Sequence, residues 1–217
     1  LSYVMSLVDF ILHIDHHMIN IVNDFGVWTY LVLFLIIFIE TGVVILPFLP
    51  GDSLIFAAMA LAANPSYGLS PWLLALTFLI AAVLGDSLNY EIGEHFGEFA
   101  VKNKYLGKLI NKEHLDEAHR FFKKHGGKTI AIGRFIPLIR TFVPFVAGSG
   151  TMHYGKFLKY NVLGGFLWVL LCSSAGYLFG NIPAVQEHFS MIVIGIVIIS
   201  LIPILITALR NRKKSAE

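Results

Sequence analysis

The first 101 residues contain no lysine and no arginine; all sixteen basic residues fall between Lys102 and Lys214. Charge of either sign is scarce. Only 14% of the 217 residues are Asp, Glu, Lys or Arg, while 56% are hydrophobic and the mean hydropathy is +0.73. Soluble domains carry about a quarter charged residues, so this composition argues against one and for a single integral membrane unit. With a net charge of +2 and basic groups confined to loops and tail, nucleic acid is not expected as a partner. The lone cysteine, Cys172, ends the apolar run Phe166 to Cys172, so no intrachain disulfide forms and it reads as a small buried hydrophobe. The start lacks a basic n-region and a small-residue cleavage site, so no removable signal peptide is expected, and Leu1 fits a trimmed initiator methionine.

What is present is a series of apolar segments. The clearest span is 189–209, uncharged and followed by Arg210, Arg212, Lys213 and Lys214, which by the positive-inside rule makes the 210–217 tail cytoplasmic. A second span is expected at 160–180, with Lys156 and Lys159 marking its cytoplasmic end, and a third at 71–97. Between them, 98–127 reads as a cytoplasmic amphipathic helical segment; Glu98 to Lys128 carries eight basic and four acidic residues, and Leu106, Leu109, Ile110 and Leu115 have helical spacing. Residues 1–26 read as an interfacial helix or a partial span, interrupted by Asp9, Asp15 and Asp24.

Two segments fit no simple span. Residues 27–63 run apolar to Ile39, then through Glu40, Thr41, Gly42, Pro47, Pro50, Gly51 and Asp52, then apolar again; 128–152 is punctuated by Arg134, Pro137, Arg140, Pro144 and Gly148. Irregular backbone at membrane depth must be buried in protein or line a wet cavity, because lipid cannot satisfy its N–H and C=O groups. Both segments are therefore expected to be re-entrant hairpins. Pro47-Phe-Leu-Pro-Gly-Asp-Ser53 also aligns with Pro144-Phe-Val-Ala-Gly-Ser-Gly150, and each hairpin precedes a span of opposite orientation. The expected fold is all-α and membrane-integral. It is an inverted repeat of a re-entrant hairpin plus a transmembrane helix, with the cytoplasmic segment and a C-terminal transmembrane helix added.

The runs Phe38-Ile-Glu-Thr-Gly-Val43, Pro47 to Ser53, Gly85-Asp-Ser-Leu-Asn-Tyr-Glu-Ile-Gly93, His125 to Thr141 and Pro144 to Met152 resemble the DedA family of bacterial inner-membrane proteins, over nearly the whole chain. The resemblance implies re-entrant hairpins, kinship with lipid scramblases, and movement of polyprenyl phosphate or phospholipid across the bacterial inner membrane. It also implies functional roles for an acidic pair, here Glu40 and Asp52, and an arginine pair, here Arg134 and Arg140.

The residues themselves bear on the chemistry. An ion near the bilayer centre costs roughly 2.5–3.5 kcal/mol, so four unpaired ones would cost about 10 kcal/mol. In one reading Glu40 and Asp52 simply pair with Arg134 and Arg140 as a structural lock. The alternative gives the arginines bidentate contact with a phosphate and gives Glu40 and Asp52 proton coupling, with Asp86 as a second proton site. Pro47, Pro50, Pro137 and Pro144 are expected to break helices, and Gly51 and Gly148 to allow tight reversals, exposing helix ends with or without phosphate contact. Glu91 and Glu94 read as a hydrated lining, and Gly93 and Gly97 as packing positions. His13, Asp15, His16 and His17 suit an interfacial helix better than a metal site, and His114, His119 and His125 read as loop residues. No metal or other cofactor is expected.

A proton-linked flippase or translocase of a lipid phosphate such as undecaprenyl phosphate, or of a phospholipid, fits these residues best. Its partners would be the lipid, protons and the bilayer, with a homo-oligomer left open. A proton-coupled antiporter of a small ion would use the same carboxylates. An intramembrane lipid phosphatase fits less well, for want of a nucleophile beside a base, so no enzymatic activity is expected. A passive assembly factor is the remaining alternative.

Overall fold

Apolar runs with few β-breaking polar turns leave the helix as the economical way to satisfy the backbone away from water. In the computed structural model, which describes residues 25–43, 51–102, 112–136, 139–150, 152–182 and 185, every regular element is helical. In chain order these are α1 (Val27–Gly42), α2 (Gly51–Ala62), a 3₁₀ turn (Pro65–Tyr67), α3 (Pro71–Lys102), α4 (Lys112–His125), α5 (Lys128–Gly133), α6 (Phe142–Ser149) and α7 (Tyr154–Gly180).

Local chemistry sets several of the ends. Pro71 occupies the first position of α3, where its missing N–H costs nothing, and the Ser70 hydroxyl accepts from the Leu73 N–H at 3.4 Å. The Asn64 side chain likewise accepts from the Ser66 N–H at 3.0 Å to start the 3₁₀ turn. Helix α4 stops at Gly126, whose φ of +59° suits glycine and whose N–H donates to the Phe122 carbonyl at 2.8 Å. Lys123, Lys124 and His125 in its last turn complement the helix dipole.

Two helices are long and apolar enough to cross a bilayer: Pro71–Phe96, 26 residues, and Tyr154–Gly180, 27 residues. At 1.5 Å per residue each reaches about 40 Å, more than the ~30 Å hydrocarbon layer. Along α3, Leu73, Leu76, Ile80, Leu84 and Leu88 are exposed at helical spacing, an arrangement suited to lipid. Helix α7 starts at Tyr154, so Lys156 and Lys159 lie in its first turns rather than ahead of it.

The chain divides into two units, one of residues 1–30, 50–74 and 172–217, the other of residues 31–49 and 75–171. In the first, α2 lies against the end of α7. The backbone of Phe56 and of Ala60 comes so near Gly176 and Gly180 that a side chain at either would collide, and the Phe56 and Phe179 rings sit 5.3 Å apart. In the second, α6 crosses α3. Gly93 of α3 faces the Phe145 backbone, Gly148 of α6 faces the Tyr90 carbonyl, and the core gathers Tyr90, Ile130, Ile139, Phe142, Val143, Phe145, Val146 and Phe157. Phe121 and Phe122 of α4 pack against it, and the Tyr90 hydroxyl donates to the Met152 carbonyl at 2.5 Å.

These contacts correct two expectations. Gly148 does not reverse the chain: it lies inside α6, and glycine is needed there because the Tyr90 carbonyl occupies the space of a side chain. Pro144 does not break a helix either, since it sits in the first turn of α6, where no intrahelical N–H bond is lost. Gly51 opens α2. Pro47, Pro50, Pro137, the 1–24 segment with its histidines, and the 189–209 span lie outside the described residues.

Gly93→Val should force α6 off α3 and destabilise the protein by about 3 kcal/mol, as overpacking does, whereas Gly155→Ala, whose methyl would meet only the His153 ring at 3.4 Å, should cost less. Thermal melting of the detergent-purified variants checks the ranking.

Candidate functional site

Helix α1 is uncharged until its last turn, where Glu40 is completely buried. Its Oε1 accepts a hydrogen bond from Nη2 of Arg140, an ion pair bridging 100 residues of sequence. Arg140 is delivered by a run of tight turns between α5 and α6, with its N–H on the Ile136 carbonyl at 3.0 Å and the Phe142 N–H on the Ile139 carbonyl at 3.0 Å. Oε2 of Glu40 has no hydrogen-bond partner among the described residues.

Arg134 follows directly on α5 and is 7% exposed. Its Nη2 donates to the Asp86 carboxylate and to Oδ1 of Asn161, and reaches the Ala82 carbonyl at 3.3 Å. Asn161 in turn donates to the Val83 carbonyl at 3.0 Å, so α7 is keyed to α3 through the group that holds the arginine. Two glycines open the path of that side chain. A methyl at Gly164 would fall 2.7 Å from Cα of Ala131 and 3.3 Å from Cδ of Arg134, and Gly165 lies beside the guanidinium.

One helical turn beyond, the Trp168 ring is buried with the guanidinium carbons of Arg134 and Arg140 at 5.9 and 5.7 Å from its centroid. Trp168, the two arginines, Asp86, Thr41 and Thr141 line a cavity of about 10 Å³, the size of one water. Asn89 brackets the arrangement from α3. Its amide donates to the Thr41 carbonyl at 3.2 Å and to the Thr141 carbonyl at 2.7 Å, fixing the backbone next to Glu40 and next to Arg140. Ala82, Asp86 and Asn89 thus serve the site from one face of α3, by their spacing of four and three residues.

Of the residues singled out from sequence, Glu40, Asp86, Arg134 and Arg140 converge, as two pairs. The pairing differs from the lock considered above, because the partner of Arg134 is Asp86, which lies just under one turn before Asn89 on α3. Asp52 lies in the first turn of α2, in the other unit, with an exposed side chain. Glu91 and Glu94 are exposed; Glu91 is 3.5 Å from His95, and Glu94 borders an open cavity with His153 and Tyr154. Sequence reasoning missed Asn89, Asn161, Thr141 and Trp168. The two asparagines carried a usable signal, since each is a polar interruption at helical spacing in an otherwise apolar span.

Two bilayer-length apolar helices, with arginine–carboxylate pairs packed beside them, fit the class of integral membrane proteins. The model of the VTT domain matches residues 49–178, and the chain belongs to that family, the DedA family. It is 48% identical to Protein DedA of Escherichia coli (strain K12) over 217 residues, covering 100% of this chain and 99% of that one. An uncharacterized membrane protein of Mycobacterium tuberculosis (strain ATCC 25618 / H37Rv) is 40% identical over 81% of this chain and 77% of its own. Inner membrane protein YqjA of Escherichia coli (strain K12) is 36% identical over 73% of this chain and 71% of its own. No solved structure matches the chain.

Removing one member of a buried pair leaves the other charge stranded. Arg134→Met should cost about 3–5 kcal/mol, and Arg134→Met with Asp86→Leu should recover a large part of it. Thermal melting of the single and double variants reads the difference, and equal losses would sink the pairing as an energetic unit.

Proposed function

We propose that the protein is a flippase or translocase that moves a lipid phosphate such as undecaprenyl phosphate, or a phospholipid, across the bacterial inner membrane in a proton-linked manner, without enzymatic chemistry. One observation carries this: two guanidiniums, that of Arg134 buried and that of Arg140 partly so, each held by a carboxylate, face one small cavity. Arginine suits phosphate because its planar fork gives two parallel, permanently charged hydrogen bonds. A phosphate reaching Arg140 or Arg134 competes with Glu40 or Asp86, and a carboxylate that takes up a proton gives up its hold. Proton uptake and anion binding therefore favour each other, and the carboxylate's return to its arginine expels the anion. Asp52 completes the proposed proton-coupling set, at the start of α2.

The proposed architecture is an inverted repeat of two re-entrant hairpins, 27–63 and 128–152, each followed by a transmembrane helix, with the C-terminus cytoplasmic. Two features support it. α3 and α7 both carry Gly-x-x-Phe-Gly in their C-terminal parts, at Gly93 to Gly97 and Gly176 to Gly180. In each unit that glycine-bearing end receives the backbone of a short helix, α6 on α3 and α2 on α7. Bilayer-length helices flanking short broken ones suit alternate exposure of a site at the broken segments.

A proton-coupled antiporter of a small ion is the second possibility, favoured by the size of the cavity, which admits about one water rather than a headgroup. Cargo decides between them. Translocation of labelled undecaprenyl phosphate and of phospholipid is measured in proteoliposomes with and without a pH gradient. Gradient-following movement of either lipid, lost in Arg140→Ala, is expected; movement of neither would favour ion antiport. Arg140→Lys should weaken the binding of a lipid phosphate about tenfold through loss of the bidentate contact while leaving expression unchanged. Glu40→Gln and Asp52→Asn should leave the protein folded and abolish the pH dependence of flux; a wild-type pH profile in both would remove the coupling role.

A further inference from the structure

Helix α4 meets α6 along a cavity of about 380 Å³ that lies wholly in the second unit and shares no lining residue with the arginine cavity. His119, Arg120 and Lys123 line it from α4, and Phe122, Val146 and Met152 give it apolar surface. No carboxylate is among its described lining residues. Glu94 borders the cavity of His153 and Tyr154, which has only Gly150 and Met152 in common with this one. The volume falls in the range of small-ligand sites, about 300–1,000 Å³.

Helix stability does not account for this gathering of positive charge. A helix dipole favours cations in the last turn, which holds Lys123, Lys124 and His125, whereas His119 and Arg120 lie further back. The acidic residues of α4, Glu113, Asp116 and Glu117, all precede His119 in sequence. Lys123 has His119 and Arg120 four and three residues before it, and Gly126 and Gly127 three and four residues after it. No acidic residue therefore stands at helical spacing from Lys123, and the like charges of Arg120 and Lys123 repel each other. An anion in the cavity would remove that repulsion.

The cavity also lies at the end of a membrane span. Gly148 of α6 abuts the backbone of Tyr90 and Glu94, in the last two turns of the span Pro71–Phe96, and Gly150 follows it into the cavity wall. Helix α7 begins beside the same place, with the Tyr154 ring 5.4 Å from that of Tyr90 and with Lys156 and Lys159 in its first turns. Tyrosine and basic residues are what helix ends present to lipid headgroups. A cavity at that level, basic on one side and apolar on the other, matches an anionic phospholipid, whose phosphate accepts charge-assisted hydrogen bonds and whose glycerol carries the acyl chains.

We propose that the cavity between α4 and α6 is a second binding site, at which Arg120 and Lys123 hold the phosphate of an anionic phospholipid and Phe122, Val146 and Met152 receive the apolar part next to it. The site does not depend on which cargo the protein moves. Because α6 starts two residues after Arg140, the bound lipid also braces the segment that carries that arginine.

Thermal melting of the detergent-purified protein is followed as phosphatidylglycerol, phosphatidylcholine or glycerol 3-phosphate is added. Phosphatidylglycerol should raise the melting temperature to a plateau, as a ligand of the folded state does, and the other two should not. Arg120→Gln with Lys123→Gln should weaken the apparent affinity for phosphatidylglycerol about tenfold. Lys124→Gln with Lys128→Gln removes the same charge outside the cavity and should leave that affinity unchanged; all four side chains are exposed, so folding is retained. No shift with phosphatidylglycerol, or an equal one with phosphatidylcholine, would overturn the proposal. Equal weakening in the two double variants would reveal diffuse attraction to charged lipid, and an equal shift with glycerol 3-phosphate a site for free phosphate; either result overturns it. So would a shift lost in Arg140→Ala but kept in Arg120→Gln with Lys123→Gln, which would give the lipid to the arginine cavity. The expected melting results together with lipid-inactive proteoliposomes would remove the proposed cargo and leave this site standing.

Discussion

The membrane-embedded part of this protein is organised by the cost of a charge away from water. Glu40, Asp86 and Arg134 are each 7% exposed or less, and each would be expensive alone. Pairing reduces that cost only where the geometry is close and the remaining hydrogen bonds are met. Much of the second unit follows from this requirement. The tight turns between α5 and α6 bring Arg134 to Asp86 and Arg140 to Glu40. Asn161 offers Arg134 a second acceptor, Asn89 ties down the Thr41 and Thr141 carbonyls beside the ions, and Gly164 and Gly165 clear the volume the Arg134 side chain crosses.

Backbone closeness is the second means of holding broken segments in place. Helix α6 has eight residues and little hydrogen bonding of its own to offer. It is held by burial, with Phe142, Val143, Phe145, Val146 and Ala147 all in the core, and by glycines that let it touch the backbone of α3. Such contact replaces side-chain interdigitation with broad van der Waals area, which is how helices associate where the hydrophobic effect is weak. The same device recurs where α2 meets Gly176 and Gly180 in the other unit. Short helices held this way suit a protein whose proposed work requires one segment to move against another.

Satisfied pairs and unsatisfied atoms occur side by side. Glu40 Oε2, Arg134 Nε, Asn89 Oδ1 and Thr141 Oγ1 are buried with no hydrogen-bond partner among the described residues, although each residue is otherwise engaged or adjoins one that is. A structural lock evolved only for stability would gain from satisfying these groups or replacing them with apolar ones. Spare donors and acceptors next to a water-sized cavity are compatible with the exchange of partners proposed above.

Charge asymmetry, mean hydropathy and the lengths of the uncharged runs are additive along the chain, so the sequence by itself determined an all-helical membrane protein and its family motifs. It also marked Glu40, Asp86, Arg134 and Arg140, because an ion in an apolar run is conspicuous without knowledge of its neighbours. Which ion meets which is a different matter. The pairs Glu40–Arg140 and Asp86–Arg134 join residues 100 and 48 apart, and only folding selects them over the alternatives of equal sign. Gly148 shows the same limit: in a run that begins with Pro144 and Phe145 it reads as a turn, yet its role is set by a carbonyl of another helix. Trp168 was silent for the same reason, since a tryptophan in an apolar span looks like packing until two guanidiniums are found beside its ring. Tertiary structure alone decided these points, because pairing, close approach and cation–ring contact depend on distances between segments that local sequence does not encode.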